Sequence, residues 1–348
     1  MKPFNVGIVG YGWAATAHAD AIQNTRLGQV GAIYSSRASE LDAAALSAQY
    51  GNEVKVYSDY DQMLADPSIN VIDVTSYPSQ HREQVLKAAA AGKHLIIEKP
   101  LALSLDDCKA MVKATEDAGV ETCVCFECRH SGQFVTTKTM IDDGVFGDVH
   151  YGEIDYYHGV GPWYGQYRWN TSKENGGSSL LSAGCHALDA LLMCMGGEVD
   201  AVTSYATQSK ADIFQKYEYP TTTATIIRFA DGRVGKTASV IDCLQPYYFH
   251  THLVGSKGSM LDDKFYSSEF GALKKDGWSK LNMSLMDSGD VADHPYQTQF
   301  DVFFDSLEKK ERMPLTSIQE SFKTFEVIFA ADKSVEEGRE VKISELRS

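Results

Sequence analysis

Residues 1–126 alternate apolar strand patterns with helical ones, and that alternation leaves few folds open. Strand patterns run over 4–9, 30–34, 71–75, 94–97 and 120–126. Helical patterns run over 13–23, 38–50, 79–91 and 105–118, with Ser104 placed to cap the last. Strands that follow one another through helices pair in parallel with right-handed crossovers. This half is therefore expected to be a doubly wound parallel sheet of about six strands. After Arg129 the texture changes. Aromatic residues crowd 151–169, and strand patterns at 200–207, 222–229 and 235–241 follow one another, with Ala230-Asp231-Gly232-Arg233 reading as a hairpin turn. Helical patterns return at 297–310 and 317–337. The expectation is an α/β protein of two domains, 1–126 and 127–348, the second an α+β domain with an open, mostly antiparallel sheet.

Composition excludes several classes of partner. Lys plus Arg number 32 against 47 for Asp plus Glu, a net charge of −15 over 348 residues. Such a field repels a phosphate backbone, so no nucleic-acid partner is expected. No window holds the roughly 18 uninterrupted apolar residues of a membrane span, and the start lacks a signal-peptide pattern. The expected compartment is the cytoplasm, with no membrane partner. Seven cysteines, an odd number spread along the chain, suit reduced thiols better than disulfides. Cys123 and Cys125 share one face of a strand pattern, and Cys125 with Cys128 has no second pair to complete four ligands, so no metal is expected.

The turn after the first strand reads Gly10-Tyr11-Gly12-Trp13-Ala14-Ala15, the G-x-G-x-x-A form of the Rossmann dinucleotide fingerprint. Gly10 suits the tight turn, Gly12 lets backbone N–H groups approach a pyrophosphate, and Ala15 keeps the helix close to the sheet. Trp13 opens that helix, whose N-terminus faces the anion. The second strand ends in Tyr34-Ser35-Ser36-Arg37, without the acid that binds the ribose of NAD. Two hydroxyls and a guanidinium suit a 2′-phosphate, which leans the NAD(P) reading toward NADP. The alternative is a solvated Arg37 with NAD held through backbone contacts. Glu98-Lys99-Pro100 closes a buried strand at the sheet edge where ligands bind, and a partly desolvated Lys99 there is suited to proton transfer. Farther on, Gly176-Gly177 leads to Gly184-Cys185-His186, with Asp189 three residues beyond the histidine on a helical pattern.

Gly10-x-Gly12-x-x-Ala15-x-x-His18, Glu98-Lys99-Pro100 after the fifth strand, Arg129, and a Gly-Gly segment leading to Gly184-x-His186 occur in this order. Together they resemble the Gfo/Idh/MocA oxidoreductases over essentially the whole chain. The resemblance implies a Rossmann domain followed by a domain whose open sheet floors the substrate site and supports a homodimer or homotetramer. It implies Lys99 and His186 as catalytic residues facing the carbon that reacts beside the nicotinamide. His186 would be the base for a sugar hydroxyl and Lys99 the donor that stabilises the alkoxide, with the reverse assignment open. The resemblance further implies that Thr75, Ser76, Tyr77 and His81 join Glu98, Lys99 and Pro100 around the cofactor. Ser76-Tyr77-Pro78 replaces the family's usual Thr-Pro-Asn, and Ser182 stands where many members carry Asp.

The aromatic stretch suits a carbohydrate, whose C–H faces stack on rings and whose hydroxyls need donors and acceptors. His158, Trp163, Tyr164, Arg168 and Trp169, with Arg129, Ser182 and Cys185, are the expected substrate residues; half the rings could equally form core or a subunit contact. The sequence thus predicts an NAD(P)-dependent dehydrogenase acting on a secondary hydroxyl of a sugar, glycoside or polyol. Two alternatives stand beside it: a redox-neutral glycosidase or lyase that uses bound NAD transiently, and a non-catalytic dinucleotide-binding sensor.

Overall fold

The computed structural model describes residues 2–271, 276–286 and 294–347. The chain divides into two compact units, Met1–Glu127 with Pro295–Phe322, and Cys128–His294 with Lys323–Ser348.

The first unit is built on β1 (Phe4–Val9), α1 (Trp13–Asn24), β2 (Gly28–Tyr34), α2 (Ala43–Tyr50), β3 (Lys55–Tyr57), α3 (Tyr60–Ala65), β4 (Val71–Val74), α4 (Pro78–Ala90), β5 (His94–Ile97), α5 (Leu105–Ala118) and β6 (Thr122–Val124). Its six parallel strands lie in the order β3-β2-β1-β4-β5-β6. Val6, Ile8, Val30, Ile33, Ile72, Val74, Ile96 and Ile97 are fully buried, as strands covered on both faces require. The order in which strands are added reverses between β1 and β4, and a crevice for a ligand opens at the carboxyl ends of the strands at such a switch point.

The helical pattern at 38–50 is interrupted. Ala38–Glu40 makes one 3₁₀ turn, and a separate helix starts where the Asp42 carboxylate accepts from Ala44 N and Ala45 N. The last strand is shorter than its apolar run: β6 pairs with β5 over Thr122–Val124, and the chain then passes into a 3₁₀ turn at Glu127–His130. The strand β3 and helix α3 carry too few residues to show a period.

The second unit continues with α6 (Gly132–Asp142), β7 (Val149–Tyr157), the short helices α7 (Tyr167–Asn170) and α8 (Lys173–Gly176), α9 (Cys185–Met195), β8 (Val199–Thr207), β9 (Thr222–Phe229), β10 (Val234–Val240), β11 (Tyr248–Gly255), β12 (Gly258–Leu261), β13 (Lys264–Ser267) and β14 (Ser279–Lys280). The chain then forms α10 (Tyr296–Lys309) in the first unit, α11 (Ile318–Glu337), and β15 (Val341–Lys342) in the second. The nine strands lie in the order β14-β13-β12-β11-β7-β10-β9-β8-β15, with β7 and β10 parallel and the other described pairs antiparallel. The hairpin at residues 230–233 joins β9 to β10. Residues alternate across this sheet: Ile154, Tyr156, Phe249 and Leu253 are buried, whereas Glu153, Tyr157, His250 and His252 are part-exposed. The helical run Lys173–Met195 is long and apolar enough to cross a membrane, but most of it is buried inside the unit as a core element.

Candidate active site

At the carboxyl edge of the parallel sheet, Gly10 has φ 87°, a left-handed conformation that a side chain would strain. A Cβ there would also meet the Ser76 backbone at 3.2 Å. A Cβ on Gly12 would meet nothing within 4 Å, so open space lies over the start of α1. That helix has no side-chain cap and no acidic residue in its first turn. The N–H groups of its first turn and its positive dipole end fit a pyrophosphate. Ala15 is fully buried, and Trp13 stands exposed at the first helical position. Thr75 Oγ1 donates to the carbonyls of Val9 (3.1 Å) and Gly10 (3.3 Å), tying the glycine turn to the end of β4.

After β2, Ser35 is buried with its Oγ accepting from Arg37 N at 3.1 Å, while Ser36 and the Arg37 side chain are exposed. Arg37 Nη1 lies 3.6 Å from Glu40 Oε2, so a nearby carboxylate shares the guanidinium. Ser76 Oγ donates to Gln84 Oε1 at 2.5 Å, and Tyr77 is half-exposed. His81 is fully buried: Nε2 faces the Ser76 carbonyl at 3.1 Å and Nδ1 the Pro100 carbonyl at 3.0 Å. It binds together the loops after β4 and β5.

Lys99 is part-buried between the buried Glu98 and Pro100. Glu98 is fixed from beneath: Tyr296 Oη donates to its Oε1 at 3.0 Å, and His18 Nε2 lies 3.5 Å from the same oxygen. His18 Nδ1 is 3.1 Å from both oxygens of Asp73. Burial opposes charge on His18, but the carboxylates of Asp73 and Glu98 outweigh it and raise its pKa to about 10. Burial likewise opposes charge on Glu98, yet His18 and the Lys99 ammonium hold its carboxyl below the usual range. Because His18 titrates near 6.5 when unfolded, this arrangement stabilises the fold fully below about pH 6.5 and is lost as pH rises through about 10. Urea unfolding at a series of pH values should show stability falling across that window, by up to about 5 kcal/mol. His18→Gln should flatten the profile there, and an unaltered profile would show that His18 is not cationic.

In the second unit, Leu180–Gly184 forms a π-helical turn that runs into α9. A Cβ on Gly184 would lie 2.3 Å from Ser239 Cβ, so only glycine lets this turn reach the sheet. His186 follows, buried, with Nδ1 3.6 Å from Cys128 Sγ. One turn on, Asp189 is fully buried, and its carboxylate accepts from Arg129 Nε (2.7 Å), Arg129 Nη2 (2.6 Å) and Thr324 Oγ1 (2.7 Å). Arg129, read as a substrate residue, is thus held as a bidentate partner of Asp189, anchoring α9 below His186. Ser182 and Cys185 are also buried, with Ser182 Oγ 3.5 Å from Tyr219 Oη.

Rings form a wall in this unit. His158 accepts or donates at 3.0 Å with Tyr156 Oη, and its ring stands 4.8 Å from Tyr164 and 5.0 Å from Tyr247, edge to face. Tyr247 is 6.4 Å from His294, which is 6.2 Å from His186. A pocket of about 610 Å³ opens here, lined by His158, Gly159, Trp163, Cys243, Leu244 and Tyr247 among others. Trp163 is 62% exposed and oriented by its Nε1 bond to the Gly159 carbonyl (2.9 Å). The structure brings His158, Trp163 and Tyr164 together. Arg168 and Trp169 lie on α7 and are not among the pocket's lining residues. Tyr247 and His294 were not legible as site residues, since each stands in a stretch without a motif.

A parallel sheet of this order, with a glycine turn and an open helix N-terminus at its switch point, defines a dinucleotide-binding protein of the Rossmann class. Residues 4–126 match the family model described as an oxidoreductase family with an NAD-binding Rossmann fold, Gfo/Idh/MocA, and residues 134–261 match the Gfo/Idh/MocA C-terminal domain. The chain belongs to the Gfo/Idh/MocA oxidoreductase family. It is 25% identical over 341 residues to myo-inositol 2-dehydrogenase of Thermotoga maritima, covering 98% of this chain and 99% of that one. It is 26% identical over 197 residues to an NADP(+)-dependent scyllo-inositol 2-dehydrogenase of Bacillus subtilis, covering 56% and 53%. Its fold matches a levoglucosan dehydrogenase solved with NADH and levoglucosan, with a TM-score of 0.84 at 22% identity over 98% of this chain and 99% of that one.

Proposed function

We propose that the protein is an NAD(P)-dependent dehydrogenase that interconverts a secondary hydroxyl and a ketone on a sugar, glycoside or polyol. The observation that carries the reading is the open, uncapped N-terminus of α1 above Gly12. Inositol and levoglucosan dehydrogenases among the relatives support the substrate class, as does the ring-lined pocket beside His158 and Trp163. The dinucleotide, when bound, supplies hydride acceptance. Gly12 and the first turn of α1 hold its pyrophosphate, and Ser35, Ser36 and Arg37 take the ribose end, with a lean toward the 2′-phosphate of NADP. His186 takes the hydroxyl proton, and the Lys99 ammonium stabilises the developing alkoxide.

A second copy of the chain is proposed to cover the open face of the C-terminal sheet, where Tyr205 and Ile226 are 76% and 51% exposed. The seven cysteines are all free, which supports work in a reducing cytoplasm. The test is a panel of inositols, free sugars and 3-keto sugars with NAD and NADP, read by absorbance of the reduced cofactor. Net reduction or oxidation with at least one of them is expected, with kcat/KM higher for NADP and Arg37→Asp reversing the preference by about tenfold or more. No net redox change with any polyol would overturn the reading.

A further inference from the structure

The polar face of the second unit's sheet holds a cluster that neither cofactor nor substrate chemistry uses. Strand β11 runs antiparallel to β7, with His252 opposite Glu153 and His250 opposite Asp155. Alternation along each strand puts both imidazoles and both carboxylates on one face. One ligand-type atom from each of Glu153, His250 and His252 lies within 4.8 Å of the other two, and all three side chains are part-exposed. We infer that Glu153, His250 and His252 form a binding site for one transition-metal dication of the zinc type.

The chemistry of the set fits. Zinc binds imidazole nitrogen and carboxylate oxygen at about 2.0–2.2 Å in tetrahedral geometry, which sets neighbouring ligand atoms about 3.4 Å apart. Side-chain rotation of about 1 Å, open to part-exposed residues, closes the cluster to that spacing. Two imidazoles with one carboxylate select zinc, cobalt or nickel over magnesium or calcium, which prefer all-oxygen sets. Three protein ligands leave a position for water.

The neighbours are placed as outer-shell groups. His250 turns Nε2 toward Glu153 Oε1 (4.0 Å) and Nδ1 toward Asp262 Oδ1 (3.6 Å) and Tyr248 Oη (3.3 Å). A carboxylate behind one ring nitrogen, with the other nitrogen aimed into the cluster, is the arrangement that orients metal-binding histidines. Tyr151 Oη donates to Glu153 Oε2 at 3.0 Å and fixes that carboxylate. Lys236 Nζ stands 2.6 Å from Glu153 Oε1 and 2.7 Å from Asp155 Oδ2. The carboxylates of Glu153 and Asp155 therefore share one ammonium. A dication at Glu153 balances the excess while Lys236 stays with Asp155.

The test uses the full chain, stripped with a chelator and titrated with Co²⁺, whose visible d–d bands report a low-coordinate site. One Co²⁺ per chain is expected, displaced by Zn²⁺. His250→Gln and His252→Gln should each weaken binding by at least about tenfold, and Lys236→Met, which removes the competing cation, should strengthen it. Unchanged circular dichroism confirms that the variants fold. Absence of a stoichiometric site, or binding that survives loss of both imidazoles, overturns the inference.

Discussion

Lys99→Met lowers turnover by about 10²–10⁴-fold, the range that a positioned proton-handling group contributes, while dinucleotide affinity stays within about threefold. Methionine keeps the unbranched stem of lysine and removes only the ammonium, so the packing between Glu98 and Pro100 is preserved. Glu98 keeps Tyr296 Oη at 3.0 Å and His18 at 3.5 Å, so the loop that carries position 99 has its anchors in the variant. The measurement pairs steady-state kcat at saturating polyol with a fluorescence titration of NAD(P)H. Unchanged turnover would remove Lys99 from the chemistry, and loss of dinucleotide binding would make it a cofactor residue alone.

Arg129→Met costs about 3–5 kcal/mol of stability, because it strands the fully buried Asp189 carboxylate with Thr324 Oγ1 as its remaining named donor. A buried ion pair is weak evidence of net stabilisation, but removing one member leaves an uncompensated charge in a low dielectric. Adding Asp189→Asn should therefore restore much of the loss, which a contribution from Arg129 packing alone would not allow. Urea unfolding of the single and double variants separates the two. A single variant within 1 kcal/mol of the parent would show that the pair anchors nothing.

The parallel sheet and its cofactor edge were legible because their signals are local. Apolar runs mark β1, β2, β4 and β5, and glycines mark the turn between β1 and α1, with a positive φ at Gly10 and open space at Gly12. Strand β3, only three residues long, has no measurable period, and the break before α2 is written in a single capping carboxylate, Asp42. In the second unit the hairpin and the Gly-x-His turn were readable. The partnership of Arg129 with Asp189, 60 residues apart, was not, because pairing across such separations leaves no trace in spacing. For the same reason, the His186–His294–Tyr247 ring series drew in two residues that stand in no motif. The cluster of Glu153, His250 and His252 depends on strand register between β7 and β11, which no single segment encodes.

The return of residues 295–322 to the first unit bears on the order in which the protein can assemble during synthesis. The Phe4 ring stacks on Phe304 at 5.6 Å, Gln299 Nε2 donates to the Val124 carbonyl at 2.8 Å, and Thr316 O receives the Val124 amide. The six strands of the Rossmann sheet thus leave the ribosome before β7 to β14, whereas the segment 295–322 that packs on them follows only after β14. A nascent chain that has passed residue 127 still exposes apolar surface on its oldest part, and protection of that surface falls to chaperones or to the speed of elongation.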